Sequence, residues 1–249
     1  MESLWRVGVV GRGRLGTALA AALRSAGYEV DGPAGRGEVP AGQAIVLCVP
    51  DAEIPAAAAT VAGAARFVGH TSGATPLTAL EPAGEVERFG LHPLQTFTGA
   101  GTDAARFAGC RCAVAGSTPA SAEAAETLAR SLGMEPFELS DEQRPPYHAA
   151  ASIASNFLVA LEAAAEEVAG AAGLEPEEAR AALVPLVRAT VENWASFGPR
   201  RALTGPVARG DELTVAAQRE AVRRAAPQLE PLFDVMVERA RALVEAVPA

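Results

Sequence analysis

Near the start of the chain an apolar run, Trp5-Arg-Val-Gly-Val-Val10, meets glycines at G-x-G-x-x-G spacing. These are Gly11, Gly13 and Gly16, and the alanine-rich segment Thr17–Arg24 follows at once. The order strand, glycine turn, helix constrains the fold more than any other feature. Gly11 ends the strand in a tight turn, Gly13 lets the backbone approach a pyrophosphate, and Gly16 lets the helix pack close to the strand. The helix N-terminus then offers unpaired N–H groups and a partial positive charge to phosphates. The expectation is a bound dinucleotide of the NAD type. The competing reading is an α/β domain whose tight turn holds no ligand.

Short apolar runs and helical segments alternate through the first half, as in a mostly parallel sheet covered on both faces. Strands are expected near Trp5–Val10, Tyr28–Asp31, Ala44–Val49, Arg66–His70, Val86–Leu91, Gly109–Ala115 and Glu135–Leu139. Helices are expected at Leu15–Ser25, Glu53–Ala62 and Thr118–Leu132, with a short one beginning at Thr75. Beyond about Asp141 only helical periodicity remains, and Arg144-Pro-Pro146 marks the junction. The spacing predicts helices at Tyr147–Ala172, Pro176–Phe197 (kinked at Pro185), Leu213–Ala225 and Pro227–Val247. A long loop, Gly198–Asp211, interrupts them. The domains are therefore read as 1–143, dinucleotide-binding, and 144–249, helical.

An acidic residue about 20 positions past the last glycine reads the ribose 2′-hydroxyl in NAD-binding folds. Here that count lands on Arg36. A guanidinium suits a 2′-phosphate, so NADP is favoured over NAD. The alternative is a solvated loop arginine. Arg12 and Arg14 add positive charge beside the phosphates. The chain's three histidines are His70, His92 and His148. The first two end strands, the side on which ligands bind in open parallel sheets, and the third begins the helical half. Imidazole is the usual proton donor or acceptor near neutral pH. His148, Ser152 and Asn156, four residues apart, share one face of a helix.

With a formal net charge of −9 and no basic cluster, nucleic acid is not an expected partner. No run is read as approaching the roughly 20 apolar residues of a membrane span. Met1–Arg6 leads straight into a strand, leaving no room for a signal peptide, so a cytoplasmic protein is expected. Cys48, Cys110 and Cys112 give no disulfide framework. The widely spaced histidines lack a metal-ligand signature, and no metal is expected.

The sequence resembles the Rossmann-like proteins of the 6-phosphogluconate dehydrogenase superfamily that carry the DUF2520 domain. The residues behind the resemblance are Gly11-Arg-Gly-Arg-Leu-Gly16, Val49-Pro-Asp51, His70-Thr-Ser-Gly-Ala74 and Leu91-His-Pro-Leu-Gln-Thr-Phe97. Tyr147-His148 with Ser155-Asn156-Phe157, and Leu203-Thr-Gly-Pro-Val-Ala-Arg-Gly-Asp211, complete the set. The resemblance implies a Rossmann-type, mostly parallel sheet followed by an all-α C-terminal domain. It also implies NADP-dependent oxidoreductase activity, related to pyrroline-5-carboxylate reductase and F420-dependent NADP oxidoreductase. A homodimer built through the helical domain is implied too. Related hydroxyacid dehydrogenases carry a Lys four residues before an Asn on the equivalent helix. Ser152 stands there in this chain, so His92 or His148 must supply the proton.

The site expected from these residues is a hydride-transfer site for a small carbonyl or imine. Gly11, Arg12, Gly13, Arg14, Leu15, Gly16 and Arg36 bind NADP, and Pro50, Asp51, His70 and Ser72 border its nicotinamide half. His92, His148 and Asn156 are the catalytic candidates. Ser152, Thr204 and Arg209 are the substrate-binding candidates. The alternatives are a non-catalytic NADP-binding sensor or interaction protein, and an enzyme pairing NADP with F420.

Overall fold

The computed structural model describes residues 6–101 and 103–245. Trp5 of the first expected strand, and residues 246–247 of the last expected helix, lie outside the described residues. The chain divides into two compact units, Met1–Ser155 and Asn156–Ala249.

The first unit is built on a seven-stranded sheet in the order β2-β1-β3-β4-β5-β6-β7. The strands are β1 Arg6–Val10, β2 Glu29–Ala34, β3 Ala44–Leu47, β4 Phe67–His70, β5 Glu87–Pro93, β6 Arg111–Gly116 and β7 Glu135–Glu138. β1 to β5 run parallel; β6 is antiparallel to β5, and β7 is parallel to β6. The helices of this unit are α1 Arg14–Ser25, α2 Ile54–Thr60, α3 Pro119–Ser131 and α4 Arg144–Ala154.

β3 shows why its sequence is a continuous apolar run. Side chains alternate across a strand, so Ala44 and Val46 enter one apolar core with α1 and α3. Ile45 and Leu47 enter the other, with Ile54 and Ala58 of α2. All four β3 residues are fully buried, as expected when helices cover both faces. α3 starts on a capping box, in which the Thr118 hydroxyl accepts from the Ser121 N–H.

α4 belongs to the first unit, so the division falls later than the 143/144 boundary read from the sequence. The reason is Arg144. Its side chain is 2% exposed and donates to Asp141 Oδ1 at 2.7 Å and to the Ser72 carbonyl at 3.3 Å. The expected single helix Tyr147–Ala172 is interrupted at Ser155 (φ −118°, ψ −69°). His148 and Ser152 therefore lie on α4, while Asn156 opens the next helix.

The second unit holds α5 Asn156–Gly170, α6 Pro176–Ala202, α7 Pro206–Arg209, α8 Glu212–Ala225 and α9 Glu230–Glu245. α6 is broken at Gly198, whose φ of 76° is not helical. The expected long loop after it contains the short α7. Arg180 grips Glu166 through two bonds of 2.7 and 2.8 Å, and Arg219 grips Asp234 likewise. The buried apolar side chains of this unit, among the described residues, are Ala179, Val215, Val222 and Ala226.

The stretch Asp141–Gly170 reaches a mean hydropathy of 1.2 over an 18-residue window and is long and apolar enough to be a candidate span. The stretch is not one continuous helix, because it is broken at Ser155.

Candidate active site

The glycine turn is held between β1, β2 and β3. The Gly11 N–H donates to the Ala34 carbonyl at 2.8 Å, and the Cys48 N–H donates to Val10. Gly11 has φ 109°, and a Cβ there would stand 2.1 Å from the Cys48 carbonyl oxygen. A Cβ on Gly16 would stand 2.0 Å from the Gly11 oxygen. Both positions therefore exclude a side chain sterically. Gly13 differs: nothing lies within 4 Å of a Cβ built on it. It is the N-cap of α1, which starts without a side-chain cap and without an acidic residue in its first turn. Open backbone and uncapped N–H groups are the features that receive a diphosphate. Leu15 packs its side chain against the core beneath the turn.

Arg12, Gly13, Arg14 and Thr17 line one side of a cleft of about 300 Å³; Gly99, Gly101 and Asp103 line the other. The loop after β5 that supplies the second wall was not identified from sequence. Its Thr98-Gly-Ala-Gly101 run, a few residues past the expected strand ending at Leu91, is the signal that could have found it. Asp103, 2% exposed, fixes this loop by accepting from the Gly99 N–H at 2.6 Å and the Thr98 hydroxyl at 3.3 Å.

At the end of β2, Arg36 extends into solvent and pairs with Glu53 at 2.7 Å, next to Pro50 and Asp51 after β3. Arg12 donates to the Pro33 carbonyl at 3.2 Å and to Glu38 at 2.8 Å. Asp31, the nearest earlier acid, is occupied elsewhere: it accepts from the Ala41 N–H at 2.8 Å and lies 3.7 Å from Arg6.

The histidines divide into two kinds. His70 is fully buried, and its Nδ1 accepts from the Ser72 N–H at 3.2 Å. Nε2 has no well-aligned partner, although the Pro76 carbonyl pulls on it. Ser72 accepts from the Ala74 and Thr75 N–H groups at 3.2 and 3.0 Å. His70 and Ser72, expected to border a ligand, thus sit at the end of β4 and in the turn that follows it. Both side chains are enclosed, and Ser72 holds the turn through Ala74 and Thr75.

His92 and His148 do come together, with ring centroids 6.3 Å apart. The Tyr147 hydroxyl is 2.8 Å from His92 Nδ1, and its ring also packs edge-on against Phe137. Gly73 closes against the pair: a Cβ there would be 2.8 Å from His92 Nε2 and 3.0 Å from His148 Cδ2. Burial lowers the His92 pKa to about 4, aided by the neighbouring His148 and Arg144. Burial and then Arg144 lower His70 to about 4 as well. Burial raises the Tyr147 hydroxyl to about 12. At neutral pH the pair is thus a neutral imidazole and a neutral phenol.

Tyr147 and Arg144 were not singled out from sequence for these roles. Their spacing with His148 (i, i+3, i+4 on one helix) was the available signal. Ser152 sits a turn beyond His148 on α4 and is half-buried. Asn156, Thr204 and Arg209 are all exposed and belong to the second unit. Among the described residues no group of His, Cys, Asp and Glu could hold a metal ion.

The whole fold recurs in solved structures. A Bacteroides fragilis protein, provisionally classed as an NADP oxidoreductase, superposes with a TM-score of 0.78 at 22% identity, over 95% of this chain and 98% of that one. A Thermotoga maritima protein gives 0.76 at 21%, over 96% and 98%. The Plasmodium falciparum pyrroline carboxylate reductase with NADP bound gives 0.61 at 12%, over 98% and 100%. These likenesses establish the Rossmann-type fold. No curated protein matches the sequence. The model of the domain of unknown function DUF2520 matches residues 110–240. The chain belongs to the DUF2520 family.

Proposed function

We propose that this protein is an oxidoreductase moving hydride between NADP and a small carbonyl or imine compound. One juxtaposition within the first unit carries the reading. An uncapped helix N-terminus behind a glycine turn follows the carboxyl end of β1, and an imidazole pair held by a tyrosine is built on the carboxyl end of the parallel β5 in the same sheet. The structural relatives described with NADP support the cofactor. Pyrroline carboxylate, the substrate class named for one of them, is a cyclic imine, which supports the substrate class.

Bound nicotinamide supplies or accepts the hydride; the protein supplies position and charge. Gly11, Arg12, Gly13, Arg14, Leu15 and Gly16 would hold the phosphates. Arg12 and Arg36 would face the adenosine end, with Pro50 and Asp51 beside the nicotinamide half. In this reading the Tyr147 O–H donates to His92 Nδ1, which leaves Nε2–H to polarise the substrate oxygen or nitrogen. A neutral imidazole can serve as such a donor. His148 then delivers the proton. Ser152 is proposed to orient the substrate.

The second unit is proposed to pair with a second copy. It buries few apolar side chains, while Phe157, Leu186, Trp194 and Leu213 are 61%, 64%, 58% and 87% exposed. So much exposed apolar surface marks an interaction face.

The test is NADPH oxidation against a panel of small keto acids and cyclic imines, with wild type and a His92→Ala, His148→Ala double variant. Turnover that survives in the double variant removes the histidine assignment. Binding of NADPH without turnover across the panel favours a nucleotide-responsive binding protein instead.

A further inference from the structure

Beside the glycine turn, the end of β2 forms a small anion site. The Gly35 N–H and the Arg12 guanidinium converge on one oxygen, Oε2 of Glu38, at 2.6 and 2.8 Å. Arg12 is steered there by its bond to the Pro33 carbonyl. The guanidinium passes so close to the backbone that a Cβ on Gly35 would be 3.3 Å from it. Arg36, the next cation along, is paired with Glu53. A backbone N–H with a guanidinium is the donor set that phosphate oxygens use. The donors lie where the strand after the glycine turn ends, the position that reads the adenosine ribose in dinucleotide folds.

We propose that Glu38 is an internal occupant of the 2′-phosphate subsite, so that a 2′-phosphorylated nucleotide must displace this carboxylate. The inference rests on the nucleotide reading above and adds the residue that sets phosphate preference. Its physical basis is competition between two anions for one donor set. Glu38 remains ionised at neutral pH, because the Gly35 N–H and then the Arg12 charge hold its carboxyl below the usual range. The Arg12 and Glu38 side chains are 63% and 55% exposed. An ion pair this exposed is weak and exchanges readily for a better ligand. The count of 20 residues from Gly16 pointed to Arg36 alone and passed over Glu38, which reaches the site by folding back over the 35–38 turn.

The probes are adenosine 2′,5′-bisphosphate and adenosine 5′-monophosphate, which differ in the 2′-phosphate, titrated calorimetrically into wild type, Glu38→Gln and Glu38→Ala. The bisphosphate is expected to bind both variants about two- to fivefold more tightly than wild type, the range set by losing one exposed ion pair. The monophosphate is expected to bind all three alike. Unchanged or weaker bisphosphate binding in both variants overturns the proposal, as does a parallel loss of the monophosphate, which would make Glu38 a ribose ligand. Failure of wild type and both variants to bind either probe, with no thermal shift by NADPH, overturns the nucleotide reading itself and this proposal with it.

Discussion

The Tyr147 hydroxyl lies 2.8 Å from Nδ1 of His92, so a residue of α4 fixes the ring at the end of β5. A neutral imidazole donates from one nitrogen and accepts at the other, and the partner of one decides the state of its twin. Tyr147→Phe removes that control while keeping the ring packing against Phe137. In the reductase assay kcat/KM is expected to fall about fivefold, the fold-change of one hydrogen bond. The pH profile should shift as well. A loss without any change in profile would assign Tyr147 to packing only.

Arg144 ties the turn after β4 to α4, through the Ser72 carbonyl and Asp141. Asp141 in turn accepts from the Leu77 N–H at 3.1 Å. Arg144→Met removes the counter-charge of Asp141 at a partly buried site. A loss of about 3 kcal/mol is expected in urea unfolding, as when one partner of a buried pair is removed. A loss below about 1 kcal/mol, the scale of surface pairs, would contradict the clamp.

Acid stability follows from the two lowered histidines. The folded values of His70 and His92 are about 4, below the ordinary 6.5 of the unfolded chain. Above pH 6.5 neither ring binds a proton in either state, so they leave stability unaffected. Between pH 6.5 and 4 the unfolded chain takes up protons first, and stability falls with falling pH. Each ring contributes at most about 1.4 kcal/mol per pH unit. Urea titrations at pH 7, 6 and 5 measure this, and His70→Asn should flatten the slope. A stability constant over that range would refute burial of the neutral rings.

Gly16→Ala places a methyl group 2.0 Å from the Gly11 carbonyl oxygen. Strand and helix must then separate. The melting temperature and the NADPH-induced thermal shift are expected to fall together, with a cost of about 2 kcal/mol or more. Gly13→Ala has room, so it should fold normally while binding nucleotide less well.

The proposed dimer is tested by sedimentation. Trp194→Glu and Phe157→Glu put charge on the exposed apolar face of the second unit. Wild type is expected to sediment as a dimer and the double variant as a monomer. A monomeric wild type at micromolar concentration would dismiss the pairing.

Local patterns announced much of the architecture. Ala44–Leu47 reads as a buried parallel strand because apolar side chains on both faces leave no alternation. Gly11, Gly13 and Gly16 read as a turn because each position has its own steric demand. Expected and observed strands agree to within a few residues. Boundaries differed where side chains reached across the fold. α4 joins the first unit because Arg144 reaches Ser72, a contact no local window contains.

The same division runs through the site. From the sequence alone came the glycine turn, the helix that follows it and the placement of His92 at a strand end, since each depends on neighbours a few residues away. Only the tertiary structure decided that His70 is sealed in while His92 meets His148 and Tyr147. It also decided that Asp31 is committed to Arg6 and Ala41, that Glu38 folds back to accept from the Gly35 N–H, and that Arg36 pairs with Glu53. These outcomes depend on burial and on donors meeting acceptors across loops. The turn that opens the chain is thus written locally; its opposite wall exists only once strands distant in sequence lie side by side.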